Sequence, residues 1–175
     1  MNPFEVAKGW EKKEINLPQR KTAYAAGYDI ECAETIVIPS HLKLLNSLNF
    51  DNKPFSLEDV AALTKSYGIK PVLVPTGLKC KLEPNEFLQL AVRSSCPLKY
   101  WLMLANGVGI IDADYYGNED NDGHICFQII NLFPSPIEIK KGETIGQGII
   151  LPYKSYEIVT TVREGGFGSS DTISS

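Results

Sequence analysis

At 175 residues the chain is long enough for one domain with a full core and too short for two comfortable ones. Apolar residues make up 43% and charged residues 22%, which excludes a disordered chain; the net charge of -4 gives no support for non-specific nucleic-acid binding, which needs a basic face. An anionic ligand would have to be held by a few placed cations and backbone amides, helped by a metal. Cys32, Cys80, Cys96 and Cys126 are widely spaced with no CxxC pair, and there are only two histidines. That argues against zinc and against a disulfide scaffold, and it suits a reducing compartment. The amino terminus, MNPFEVAKGWEKKEI, has no apolar signal core and no run approaches membrane-spanning length, so a soluble, cytoplasmic protein is expected.

In chain order, residues 1–20 hold at most a short first strand and a loop through Leu17-Pro18. In AYAAGYDIECAETIVIPS, small residues around Gly27 predict a close backbone approach, with Asp29 just after it; Ile30, Cys32 and Ile36-Val37-Ile38 are strand-like and end at Pro39. Residues 41–70 read as a helical insertion in a β domain. His41–Phe50 is a helical turn or an irregular loop. Ser56 followed by Asp59 is a capping pattern, Val60, Leu63 and Tyr67 fall on one helical face that requires burial, and Gly68 is a stop.

From Lys70 the β pattern resumes as KPVLVPTGLKCKL, a turn at Pro84-Asn85, and EFLQLAVRSS. Asn106-Gly107 is the dipeptide that most favours a tight hairpin, because both central residues take positive φ. Val108, Ile110 and Ile111 follow, then Asp112-Ala113-Asp114, whose two carboxylates would share a face if the strand continues. Alone, such a pair reads first as strand-end solvating charge and only second as a base or a metal contact tuned by its neighbour. A polar turn (Asn118–Gly123), the strand HICFQIINL, a break at PSP, and then IEIKKGETIGQGIILPY and KSYEIVTTV complete the pattern. Many short strands with Gly and Pro punctuation mean a barrel or a jelly roll.

Two further stretches fit anion binding. Arg93-Ser94-Ser95 offers a planar fork of donors beside two hydroxyls. Gly165-Gly166-Phe167-Gly168-Ser169-Ser170, after Arg163, offers backbone amides that can form a nest for phosphate oxygens. It lacks the strand-before, helix-after setting of a P-loop. By composition 163–175 is a flexible Gly/Ser-rich lid, in which a lone Phe needs a purpose.

AGYD at 26–29, RSS at 93–95, NGVGIIDADYYG at 106–117, GETIGQ at 142–147 and REGGFGSS at 163–170 occur in one order. In that order and spacing they resemble the five motifs of the homotrimeric dUTPase family. The resemblance covers nearly the whole chain outside 41–70. It implies an all-β distorted jelly roll of the β-clip kind, one domain over 1–175 with the insertion and the lid, and three subunits that build three shared sites. The implied reaction is hydrolysis of dUTP to dUMP and pyrophosphate with Mg²⁺.

The resemblance also assigns roles. Asp112 matches the carboxylate that deprotonates the attacking water, and Asp29 the acidic residue that reaches the metal through water. Arg93, Ser94 and Ser95 resemble the phosphate-gripping segment. Asn106 and the backbone of Gly109, Ile110 and Ile111 correspond to the uracil reader, and Tyr115 to the ring beneath the deoxyribose. Gln147 is similar to the glutamine near the phosphates. Phe167 resembles the ring that closes over the base, with Arg163, Gly168, Ser169 and Ser170 around the γ-phosphate.

The chain departs from that family's pattern in four places. Thr144 stands where the family has Arg, Arg163 is one residue closer to its glycines, Asp171 replaces a frequent glycine, and the turn at Asn118–Gly123 is long. Two rival readings follow from the same residues. A dCTP deaminase shares the fold, but the position of its deaminating Glu is Gln128 here, and an amide cannot shuttle the proton. A dUTPase-fold regulatory binding protein would use 41–70 as its contact for a protein partner, although a pure binder has no need of Asp112.

Overall fold

The computed structural model describes residues 2–46 and 54–157. The β-branched and aromatic runs form eleven strands among them: β1 (Phe4–Val6), β2 (Tyr28–Glu31), β3 (Ile36–Ile38), β4 (Val72–Pro75), β5 (Leu78–Cys80), β6 (Glu86–Val92), β7 (Leu102–Leu104), β8 (Gly109–Asp112), β9 (Cys126–Asn131), β10 (Ile137–Ile139) and β11 (Thr144–Pro152). All pairings are antiparallel. A four-stranded sheet runs β2-β11-β6-β8 and a three-stranded sheet β4-β9-β7, with the ribbons β1-β5 and β10-β3 beside them. This is the distorted jelly roll that the family resemblance implied, one of the two architectures the strand pattern allowed. No helix among the described residues is long and apolar enough to cross a membrane.

Alternation along the strands makes the core. Leu88 and Leu90 of β6, Ile111 of β8, Ile30 of β2 and Phe127 and Ile129 of β9 are buried together, while residues between them face outward. At the centre, β11 lacks side chains on its inner face. A Cβ added at Gly146 would lie 2.3 Å from the Phe127 ring and 2.7 Å from the Ala91 carbonyl oxygen. Phe127 therefore occupies the space that a side chain on β11 would take. Burial pushes the Cys80 and Cys126 thiols up to about 12, and all four cysteines are free.

The segment read as an insertion carries two helices, α1 (His41–Asn46) and α2 (Leu57–Tyr67). The local chemistry of α2 is as its sequence dictates. Ser56 caps it, Asp59 returns the capping-box hydrogen bond, and Gly68 closes it in the left-handed conformation. Its apolar face, however, is not buried: Val60 is 48% and Tyr67 56% exposed, and no residue of α2 is buried. The helix is made by its caps and only weakly held by packing.

The base of the segment is fixed instead by His41, which is 4% exposed. Its Nδ1 accepts from the Asn131 N–H at 3.1 Å, so Nε2 carries the proton and donates to the Lys70 carbonyl at 2.9 Å. One imidazole thus ties the entry and the exit of the segment to β9. A third helix, α3 (Ser95–Tyr100), was not foreseen from the sequence; six residues with Pro97 inside carry no readable period.

The Asn106-Gly107 turn also differs from expectation. The Gly107 N–H donates to the Leu104 carbonyl and the Val108 N–H to the Asn106 carbonyl, and only Gly107 of the pair has positive φ, at 72°. The strands it joins lie in different sheets, since β7 pairs with β9 and β8 with β6. The turn is a corner between layers rather than a hairpin.

Candidate active site

Of the residues singled out by sequence, Asp29, Gln147, Ile110 and Asp112 share the outer face of the four-stranded sheet. Asp29, Gln147 and Ala91 stand level on β2, β11 and β6, and Phe87 stands level with Asp112 on β8. Their neighbours in sequence point into the core, so Asp29, Gln147, Gln89, Ile149, Ile110, Phe87 and Asp112 share the outward face.

At the first end, the small residues before Asp29 are explained by Gln147. A Cβ on Gly27 would lie 2.5 Å from its Oε1, so only glycine admits the amide there. Asp29 is one of six residues around a groove that also holds Asn16, Gln19, Lys21 and Glu31. Its carboxylate makes an ion pair with Lys21 at 3.7 Å. Arg93 follows β6 close by, with its N–H on the Ile145 carbonyl, and Ser94 and Ser95 begin α3. Arg93 lines a second groove with Ser95, Tyr100, Glu138, Glu143 and Thr144. Thr144 forms part of the wall of this groove.

No group of three or more His, Cys, Asp or Glu that could cage a metal occurs among the described residues. The donors around Asp29 are hard oxygens on an accessible surface. That fits a magnesium ion held mostly by water and substrate oxygens, and not a transition metal in a protein cage.

At the second end, Asp112 closes β8 and is exposed. The chain then turns through a 3-10 segment, Ala113–Tyr115, so Asp114 is not the next same-face residue of a strand as the alternation predicted. Asp112 and Asp114 still line one groove, with Leu82, Pro84, Ala113 and Tyr153. β8 is the edge of its sheet. Among the described residues no strand pairs with its outer edge, which leaves backbone donors and acceptors facing outward beside the half-exposed Ile110.

Tyr115 is 1% exposed and belongs to the core, with its hydroxyl accepting from Asn121 Nδ2 at 2.7 Å and donating to the His124 carbonyl at 3.2 Å. The long turn that supplies Asn121 is itself pinned. Lys79 hydrogen-bonds Asp122 at 2.8 Å, which holds that carboxyl below the usual carboxylate range and raises the lysine. Lys79 also lies over the Tyr116 ring, whose hydroxyl donates to Glu5. The ring of Tyr115 is thus a rigid floor under the Asp112 turn.

The two ends are far apart in one chain. Three strand spacings and four residues separate Asp29 from Asp112, roughly 14 Å across and roughly 13 Å along, or about 20 Å in all. Arg163, Phe167, Gly168, Ser169 and Ser170, with the rest of the segment read as a lid, lie outside the described residues. Lys21 and Tyr153 were missed from sequence. Neither sits in a motif, and only the strand pairing brings them to the carboxylates.

Residues 56–171 match the family model for dUTPase. The match begins at the cap of α2, so part of the segment read as an insertion falls inside it, whereas AGYD lies before it. The chain is 36% identical over 174 residues to the deoxyuridine 5'-triphosphate nucleotidohydrolase of Lactococcus lactis, covering 95% of each. It resembles the crystal structure of dUTPase from Streptococcus mutans at 34% identity and a TM-score of 0.68, over 88% of this chain and 98% of that one. A mutant dUTPase from phage phi11 of S. aureus, described as coordinating a structural Mg(II) ion, shares the fold at 16% identity and a TM-score of 0.59, over 90% and 94%. The chain belongs to the dUTPase family.

Proposed function

We propose that the chain hydrolyses dUTP to dUMP and pyrophosphate in sites shared between copies of a homotrimer. Each site takes its phosphate-holding residues from one copy and its base from another. The observation that carries this reading is the separation of Asp29 from Asp112 on one sheet face, about 20 Å. A general base must lie within hydrogen-bond reach of its water, so one chain cannot bring both carboxylates to one phosphate. Two different patches on one surface join head to tail, and such contacts close into rings. Phe87, Ile149, Leu151 and Ile110 supply an apolar strip between the patches for the neighbour to cover.

In this reading Arg93, Ser94, Ser95 and Gln147 hold the triphosphate. The Asn106 turn and the free edge of β8 through Gly109, Ile110 and Ile111 present backbone groups to the uracil edge. Cytosine would leave one of those groups unpaired, which is costly once buried. Tyr115 keeps the floor below the sugar closed. Asp112 accepts the proton of a water as its oxygen attacks the α-phosphorus, and the bond to the bridging oxygen breaks to release pyrophosphate. Asp29 would hold Mg²⁺ through water, and the ion would neutralise phosphate charge. Phe167 covers the base, with Arg163, Gly168, Ser169 and Ser170 on the γ-phosphate, and closure keeps bulk water out. Free thiols are in keeping with work in the cytoplasm.

Pyrophosphate release from dUTP, dCTP, dTTP and UTP tests the reading. Strong preference for dUTP is expected, and equal turnover of dCTP would overturn it. Asp112→Asn should retain dUTP binding and slow turnover by about 10²- to 10⁴-fold. Mixing Asp112→Asn with Arg93→Ala chains should restore about a quarter of the sites after subunit exchange. No recovery would mean that each site is built from one chain.

A further inference from the structure

We propose that Lys21 is a resident cation on Asp29 that a divalent ion has to displace, so that this lysine sets the metal affinity of the site. The inference rests on reading Asp29 as the metal-facing carboxylate. Lys21 Nζ lies 3.7 Å from Asp29 Oδ2, the one ion pair that Asp29 makes among the described residues.

The placement is enforced by the backbone. Gln19 bridges to Asp29, whose N–H donates to the Gln19 carbonyl at 3.1 Å. Just beyond, Arg20 folds over the loop, with Nε on the Ala25 carbonyl and Nη2 on the Ala23 carbonyl, both at 2.6 Å. The Ala25 N–H closes the same loop onto the Thr22 carbonyl. Arg20 thereby turns Nε and Nη2 toward the main chain, and Lys21 is the cation whose head lies next to the carboxylate.

The other polar groups around Asp29 are Glu31, Asn16, Gln19 and Gln147; Asn16 Nδ2 donates to Glu31 at 2.9 Å, so Glu31 already has a partner. Asp29 retains 20% exposure and Lys21 67%. An exposed pair of this kind adds little stability. Its consequence is competition, because an ammonium held at a carboxylate raises the potential that an arriving dication meets. The flexible stem lets the head leave without disturbing the loop, and it can then turn toward phosphate oxygens.

The test is Mn²⁺ titration, read by electron paramagnetic resonance, on the assembled protein with a non-hydrolysable α,β-imido analogue of dUTP bound. Lys21→Met should bind Mn²⁺ about three- to tenfold more tightly than wild type, and Lys21→Arg should stay close to wild type. Unchanged or weaker binding by Lys21→Met would overturn the proposal. Asp29→Asn is the control that separates the two ideas and should lose Mn²⁺ affinity. If it binds Mn²⁺ like wild type, the reading of Asp29 fails and takes the proposal with it, whatever the outcome for dUTP turnover.

Discussion

The β body and the segment around α2 are held by opposite means. In the sheet, β11 is so tightly applied to the core that two of its inner positions have no side chain at all, Gly146 against Phe127 and Gly148 against Leu88 and Ile30. In α2 the caps are complete and the packing is almost absent. One region is stable because distant residues meet, the other because near neighbours agree. An amphipathic pattern therefore identifies a helix more safely than it identifies a burial site.

The largest expected effect breaks the body. Gly146→Ala sets a methyl group against a ring at 2.3 Å and a carbonyl at 2.7 Å, which should cost about 3 kcal/mol in urea denaturation. A midpoint equal to wild type would mean that the sheet is less tightly packed than its geometry indicates. Next comes the joint between the regions. His41→Ala leaves the Asn131 N–H and the Lys70 carbonyl without their imidazole and should cost about 1–3 kcal/mol, while hydrolysis of dUTP persists. Loss of activity without loss of stability would place His41 in the chemistry.

A smaller effect depends on pH. His124 is desolvated beneath Trp10, and its Nε2 accepts from the Gly77 N–H at 3.0 Å, so burial lowers its pKa in the fold. Its contribution is fully present above the unfolded value near 6.5 and is lost as pH falls below that, because the unfolded chain takes the proton more readily. A denaturation series from pH 7.5 to about pH 5 should show this decline, and His124→Gln should flatten it. The smallest effect is expected on α2 itself. Val60→Ser and Tyr67→Ser should each stay within about 0.5 kcal/mol of wild type. A larger loss in the assembled protein would show that another surface covers this helix.

What the sequence disclosed depended on the range of the cause. Ser56, Asp59 and Gly68 act within a turn, and α2 has the bounds they imply. Gly27 was legible as a close approach, although not that the approaching group is Gln147, more than a hundred residues away. Asn106-Gly107 was over-read, since the dipeptide marks a turn but cannot say which sheets its flanks will join. Asp114 left the face of Asp112 because the strand ends at Asp112, two residues short of what alternation implies. The site motifs could be named in order, but only strand order shows that Asp29 and Asp112 occupy opposite ends of one face.

The four thiols have a practical consequence. With Cys80 and Cys126 pushed up to about 12, the native protein offers almost no thiolate at those positions near neutral pH. At the buried Cys80 above all, an alkylating reagent added to the native state must wait until the fold opens. The rate at which these cysteines are labelled thus becomes a clock for opening of the β body, readable by mass spectrometry one residue at a time.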